Sequence, residues 1–168
     1  MKILIFLGLF WGPIFALDLN FKNLSADFVQ GVHSQQGKIE YKGHFVLQNN
    51  RALWSYEEPA KKEIYINDDE IVIVEHDLEQ VLISRIDSIP NLSEIFKKAK
   101  RLGAAKFEAK YQNINYTIEL ENDAIKKISY KDELENFVSI TLFKLQKDGP
   151  IDPKIFTPKY PQNYDIVR

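Results

Sequence analysis

The sequence predicts a mainly β (α+β) fold in which one strongly curved antiparallel sheet presents a concave apolar face to a short helical cover. Three observations carry this. Apolar residues recur with period two from Ile39 to Leu145, as strands with one buried face require. Turn residues such as Asn67-Asp68-Asp69, Gln112-Asn113 and Glu121-Asn122-Asp123 separate consecutive strands. A single segment, Pro90 to Gly103, switches to helical spacing.

The first sixteen residues stand apart. Met1-Lys2 gives a positive start, Ile3 to Phe15 is apolar apart from Gly8, Gly12 and Pro13, and Ala16 sits at a cleavage position. Such a run is too short to cross a hydrocarbon core of roughly 30 Å with ease, so residues 1–16 are expected to be a secretory signal peptide and residues 17–168 a single domain. Because Ile14 is larger than the residue usual before the cleavage site, an uncleaved anchor is the alternative.

Within the domain, Ile39, Tyr41, Phe45 and Leu47 alternate with Glu40, Lys42, His44 and Gln48, and Ala52, Trp54 and Tyr56 continue the pattern until Pro59. Ile64 to Ile66 and Ile71 to Val74 flank Asn67-Asp68-Asp69 as a hairpin. Further strands are expected at Val81 to Ile83, Phe107 to Tyr111, Tyr116 to Leu120, Ile125 to Tyr130 and Phe137 to Leu145. Between Pro90 and Gly103, Leu92, Ile95, Phe96, Ala99 and Leu102 line one helical face, with Lys97, Lys98, Lys100 and Arg101 complementing the negative end of the dipole. A second helix is expected over residues 19–28, where Phe21, Leu24 and Phe28 are spaced three and four apart.

Nine or ten strands with so little helix leave a concave face that the helices cover poorly. The sequence therefore predicts a cavity lined by Phe45, Leu47, Trp54, Tyr56, Tyr65, Ile73, Val81, Phe107, Tyr116 and Ile118.

Composition narrows the function. Twenty-two Lys and Arg against 24 Asp and Glu leave no basic excess for a nucleic-acid backbone, so no nucleic-acid partner is expected. There is no cysteine, which excludes disulfides, a thiol nucleophile and thiolate metal sites. His33, His44 and His76 lack ligand spacing, and neither a Gly-x-Ser-x-Gly elbow nor a phosphate-cradling glycine loop occurs. The residues thus point to no catalytic site, metal or cofactor.

Several local motifs resemble those of the periplasmic lipoprotein carrier family, LolA. Phe28-Val29-Gln30 is similar to its Phe-x-Gln segment, Gly43-His44-Phe45 to its Gly-x-hydrophobic strand, and Trp54-Ser55-Tyr56 with Pro59 to its Trp-x-Tyr-x-x-Pro signature. Asp68-Asp69 occupies its hairpin turn, Asp77 to Val81 resembles the segment that follows, and Phe156, Pro161 and Asp165 fall at family positions. The sequence departs from the family at Gln48-Asn49, where an Arg-Pro pair is usual, and at Asn163, where glycine is usual.

The resemblance implies an incomplete β-barrel whose cavity takes the acyl chains of triacylated lipoproteins. It implies a lid at residues 90–102 carrying Leu92, Ile95, Phe96 and Ala99, and a candidate lid latch at Gln48 or, displaced by three residues, Arg51. It also implies partners: an inner-membrane ATP-driven lipoprotein-releasing ABC transporter as donor and an outer-membrane acceptor. A soluble shuttle is expected, because the related anchored receptor needs a cysteine that this chain lacks, and a monomer is expected. Other readings of the same fold are a lipid- or lipoprotein-sensing module and a periplasmic fatty-acid-binding protein.

Overall fold

The computed structural model describes residues 21–85, 95–96 and 98–168. The expected signal peptide and Leu92 lie outside the described residues. One twelve-stranded sheet organises the chain: β1 (Asn23–Ser34), β2 (Gly37–Gln48), β3 (Arg51–Glu58), β4 (Lys62–Asn67), β5 (Glu70–Glu75), β6 (Gln80–Arg85), β7 (Lys100–Arg101), β8 (Lys106–Tyr111), β9 (Ile114–Glu121), β10 (Ala124–Lys131), β11 (Phe137–Lys147) and β12 (Asp165–Val167). Their order is β12-β6-β5-β4-β3-β2-β1-β11-β10-β9-β8-β7, an open sheet in which only the β12–β6 pair is parallel.

The sheet is curved and open, and its inner face gathers side chains from well-separated strands into one buried cluster: Phe28 and Phe45 of β1 and β2 share it with Phe107 and Ile118 of β8 and β9. The curvature and the β-hairpin at Asp68-Asp69, where Asp68 takes the left-handed φ of 54° that aspartate tolerates, agree with the sequence.

The helices do not agree. Among the described residues no helix reaches seven residues. The helix expected over residues 19–28 is strand from Asn23 onward, and Leu24, Ala26 and Phe28, alternating rather than helically spaced, are each buried to within 1% exposure. Pairing on both sides, with β2 and β11, supplied long-range hydrogen bonds that a short local helix could not match. Of the helix expected over residues 90–102, the described part is helical only at Ile95-Phe96. The Ala99 N–H closes a turn onto the Phe96 carbonyl, and Lys100-Arg101 leave as β7, paired with Glu108 and Phe107. Leu102, counted on the helical face, is instead 58% exposed at a hairpin whose Leu102 and Gly103 amides both donate to the Lys106 carbonyl.

Two apolar clusters lie on opposite faces. The main one fills the concave side with Leu24, Ala26, Phe28, Phe45, Phe107, Tyr116, Ile118, Ile128, Ile140 and Leu142, joined by Ile95 and Phe96. The smaller one, on the convex side of β4 to β6, joins Tyr65, Val72, Val74 and Val81 to Tyr160 and Tyr164 of the C-terminal segment. That segment is tied down by Asn67 Nδ2 donating to the Phe156 carbonyl, by Arg51 over the Phe156 ring at 4.8 Å, and by His76, which bonds Tyr164 through Nδ1 and Glu63 through Nε2.

Candidate functional site

Register assigns the concave face residue by residue, because directly paired residues in a sheet share a face. The row Leu24, Leu47, Ala52, Ile66 and Ile71 lies nearest the β2–β3 turn. Next comes Ala26, Phe45, Trp54, Ile64, Ile73 and Leu82. On β1 to β3 these rows are core, but Ile64, Ile66, Ile71, Ile73 and Leu82 are only half-buried. An apolar stripe across β4 to β6 thus continues the main core without the cover the core has elsewhere.

The next row holds Phe28, Gly43 and Tyr56, where the motif segments converge. The Phe28 ring lies over Gly43, so a Cβ at Gly43 would stand 2.9 Å from Phe28 Cζ and 2.1 Å from the Ser55 carbonyl oxygen. Only glycine fits under that ring. Phe28 meets Trp54 and Tyr56 edge-on, each at 5.2 Å between centroids, and Phe45 stacks on Trp54 at 4.8 Å. The Tyr56 hydroxyl donates to Gln30 Oε1 at 3.0 Å. Phe-x-Gln, Gly-x-Phe and Trp-x-Tyr are therefore three sides of one aromatic cluster, which fixes β1, β2 and β3 at the bottom of the concavity.

Beyond this row, toward the β1–β2 turn, the face becomes tyrosine-rich. Tyr41 pairs with Gln30 and packs edge-on against Tyr56 at 5.9 Å, while Tyr130 and Tyr116 pair across β10 and β9 at 5.0 Å. Burial pushes the Tyr56 and Tyr130 phenols up to about 12 and raises that of Tyr116. Tyr56, Tyr116 and Tyr130 therefore remain neutral hydrogen-bonding groups across the physiological range.

The ten residues expected to line a cavity divide accordingly. Phe45, Phe107, Tyr116 and Ile118 are buried in the main cluster, Leu47, Trp54 and Tyr56 pack against it, and Ile73 belongs to the half-buried stripe. Tyr65 and Val81 are corrected to the convex face, since Tyr65 pairs with Leu53 and Val72, and Val81 with Val74. Ile39, expected on the buried face of β2, is 52% exposed beside the hairpin tip, beyond the reach of the core. The expected lid residues Ile95 and Phe96 are 0% and 1% exposed, Phe96 meets Phe21 edge-on at 6.5 Å, and Ala99 packs alongside.

Sequence reasoning missed Ile64, Ile66, Ile71 and Leu82 on the concave face. Ile71 to Val74 is apolar on both sides, so only the register through Trp54, Ile64 and Ile73 tells the faces apart. Gln48 and Arg51, the candidate latch, bond each other at 2.8 Å on the convex side, where Arg51 also covers Phe156. The histidines stay apart: His44 bonds Asp27, His76 bonds Glu63 and Tyr164, and His33 lies against Phe137. Among the described residues no group of three or more His, Asp or Glu side chains could hold a metal ion.

Comparison with known proteins agrees with this geometry. Residues 20–97 match the family described as outer membrane lipoprotein carrier protein LolA. The outer-membrane lipoprotein carrier protein of Campylobacter jejuni is 54% identical over 160 residues, covering 95% of each chain. That of Helicobacter pylori is 33% identical over 88% of this chain and 80% of its own. Among solved structures, an uncharacterized conserved protein from Thermus thermophilus superposes with a TM-score of 0.57 at 14% identity, covering 89% of this chain and 92% of that one. A LolA superfamily protein from Nitrosomonas europaea gives 0.51 at 10% identity, covering 85% and 94%. At such identities these two structures speak for the fold alone. The close sequence relatives decide the family, and the curled open sheet agrees with it: the chain belongs to the outer-membrane lipoprotein carrier proteins of the LolA family, which work in the periplasm.

Proposed function

We propose that this protein takes triacylated lipoproteins from an inner-membrane ATP-driven transporter, shields their acyl chains on its concave face, and delivers them, as a monomer, to an outer-membrane acceptor. The observation that carries this reading is the half-buried stripe Ile64, Ile66, Ile71, Ile73 and Leu82, which extends a finished core onto strands whose inner face lacks equal cover. An apolar surface of that continuity in a water-exposed protein is a place for an apolar ligand.

Acyl chains are held in a membrane by about 0.8 kcal/mol per buried CH₂. Three chains of roughly fourteen methylenes come to about 30 kcal/mol, beyond the ceiling of noncovalent affinity. Extraction therefore draws its energy from the transporter, and the carrier needs only an adaptable hydrocarbon surface. Its aliphatic and aromatic walls hold acyl chains without selecting the protein attached to them. Ile95 and Phe96 act as the lid. They occupy the concavity in the empty state, so their displacement opposes loading and keeps affinity low enough for release.

The test is incubation of the mature protein, residues 17–168, with energised spheroplasts carrying the matching transporter. A soluble one-to-one complex with an acylated lipoprotein is the expected result. A folded protein that releases none, yet binds free fatty acid, would overturn the carrier reading in favour of a lipid-binding protein.

A further inference from the structure

The concave face is polarised along the strands. On β1 to β6 its two rows nearest the β2–β3 turn carry hydrocarbon and the Trp54 indole, apart from Ser84 at the rim of β6, and on the β11 side Lys147 pairs with Leu24. The rows from Tyr56 toward the β1–β2 turn carry Gln30 and five of the eight tyrosines, Tyr41, Tyr56, Tyr111, Tyr116 and Tyr130, set beside the apolar Ile140, Ile128, Ile118 and Phe107. The other three, Tyr65, Tyr160 and Tyr164, are on the convex side. A ligand that is hydrocarbon at one end and polar at the other has one favourable orientation on such a surface.

We propose that this tyrosine belt seats the ester-bearing glyceryl head of the acyl cargo, with the chains running from it toward Leu24 and Leu47. This rests on the carrier reading above and adds the direction of loading and the groups that recognise the head.

Ester carbonyls accept hydrogen bonds and donate none, so on an apolar face they need donors. Tyrosine supplies a donor on a rigid ring whose body also packs against hydrocarbon. Among the described residues, Tyr56 already donates to Gln30, whereas the hydroxyls of Tyr41, Tyr116 and Tyr130 have no hydrogen-bond partner. Among the described residues no fully buried side-chain nitrogen or oxygen lacks a partner, so these three hydroxyls reach accessible space rather than sealed core. They are donors waiting on the side where a ligand would lie. Burial keeps the Tyr116 and Tyr130 phenols protonated well above physiological pH, so their protons stay available. Lys62, 5.2 Å from the centre of the Tyr56 ring and paired with Glu75, marks where the row meets water, and the cargo's peptide would leave past that rim.

The test uses the triple variant Tyr41→Phe/Tyr116→Phe/Tyr130→Phe, which removes three hydroxyls without protein partners and should keep the wild-type unfolding midpoint. Two synthetic triacylated lipopeptides serve as probes. One has ester-linked glyceryl chains, and the other is the same molecule with ether linkages. The expected result is about tenfold weaker binding of the ester lipopeptide by the variant, with the ether analogue changed by less than about twofold, as the loss of one or two neutral hydrogen bonds predicts. Equal losses for both probes, or no loss for either, would overturn the belt as the seat of the esters. If the wild type binds neither lipopeptide, the carrier reading fails and the belt, which depends on it, fails too. Binding of the ester probe by wild type and variant alike refutes the belt alone.

Discussion

Tyr56 on β3 donates its hydroxyl to Gln30 on β1 at 3.0 Å, across the intervening strand β2. Gly43 lies between them on β2, paired with Tyr56, and a side chain there would press on the Phe28 ring and the Ser55 carbonyl oxygen. Two residues 26 apart in sequence are thereby fixed at the point where hydrocarbon gives way to the tyrosine belt.

Gly43→Ala tests that arrangement. A Cβ 2.1 Å from the Ser55 carbonyl oxygen cannot be accommodated by rotating a side chain, so β2 and β3 must separate locally. The expected loss is about 3 kcal/mol in urea unfolding, at the upper end of what overpacking costs. A midpoint within experimental error of wild type would show that the Phe28 cluster is looser than the geometry implies.

The buried phenols predict an alkaline limit. In the unfolded chain Tyr56 and Tyr130 ionise near 10.0, whereas the folded protein holds their protons until about 12. Above pH 10 the unfolded state therefore binds fewer protons than the native one, and stability falls as pH rises. The contribution is complete below about pH 10 and disappears through pH 12. Unfolding midpoints measured from pH 8 to 12 should fall more steeply for wild type than for Tyr56→Phe/Tyr130→Phe; parallel curves would contradict this.

Phe96 tests the lid. Phe96→Ala empties a fully buried position in the main cluster and should destabilise the empty protein by about 3 to 5 kcal/mol. If acyl chains take the place of Phe96 on loading, a triacylated lipopeptide should raise the melting temperature of the variant more than that of wild type. An equal or smaller rise would mean that Phe96 stays in place when cargo binds.

Arg51 separates a latch from a clamp. It bonds Gln48, covers Phe156 and lies on the face opposite Phe96. Arg51→Ala should speed amide exchange at Asp165 and Val167, where the C-terminal segment adds β12 to β6, and should cost about 1 kcal/mol in stability while lipopeptide loading is retained. Lost loading with unchanged exchange at β12 would restore Arg51 as the latch.

Much of the sheet was legible because strand periodicity is local. Ile64 to Ile66, Asp68-Asp69 and Ile71 to Val74 announce a hairpin whichever way it faces. The misses have a common cause. Leu24 and Phe28 satisfy helical spacing as well as alternation once Ala26 is counted as apolar, and only partners distant in sequence, on β2 and β11, select the strand. Ile95 and Phe96 were legible as apolar and helical, but Lys100 and Arg101 also fit a helix end until β8 offers its edge. β12, with Ile166 and Val167 each more than 40% exposed, shows no burial pattern; its pairing with β6 makes it a strand.

The sequence by itself determined that the chain folds as antiparallel β structure and that it has more apolar side chains than its helices could cover, since both follow from residue type and short-range spacing, while Phe28, Gly43, Trp54 and Tyr56 were legible through their resemblance to a carrier family's motifs. Tertiary structure alone decided which face each side chain takes. A strand offers two faces differing by one residue of register, and that register is set by neighbours far along the chain: through it Ile64 and Leu82 turn inward, Tyr65 and Val81 turn outward, and five scattered tyrosines are brought to one end of a single concave surface.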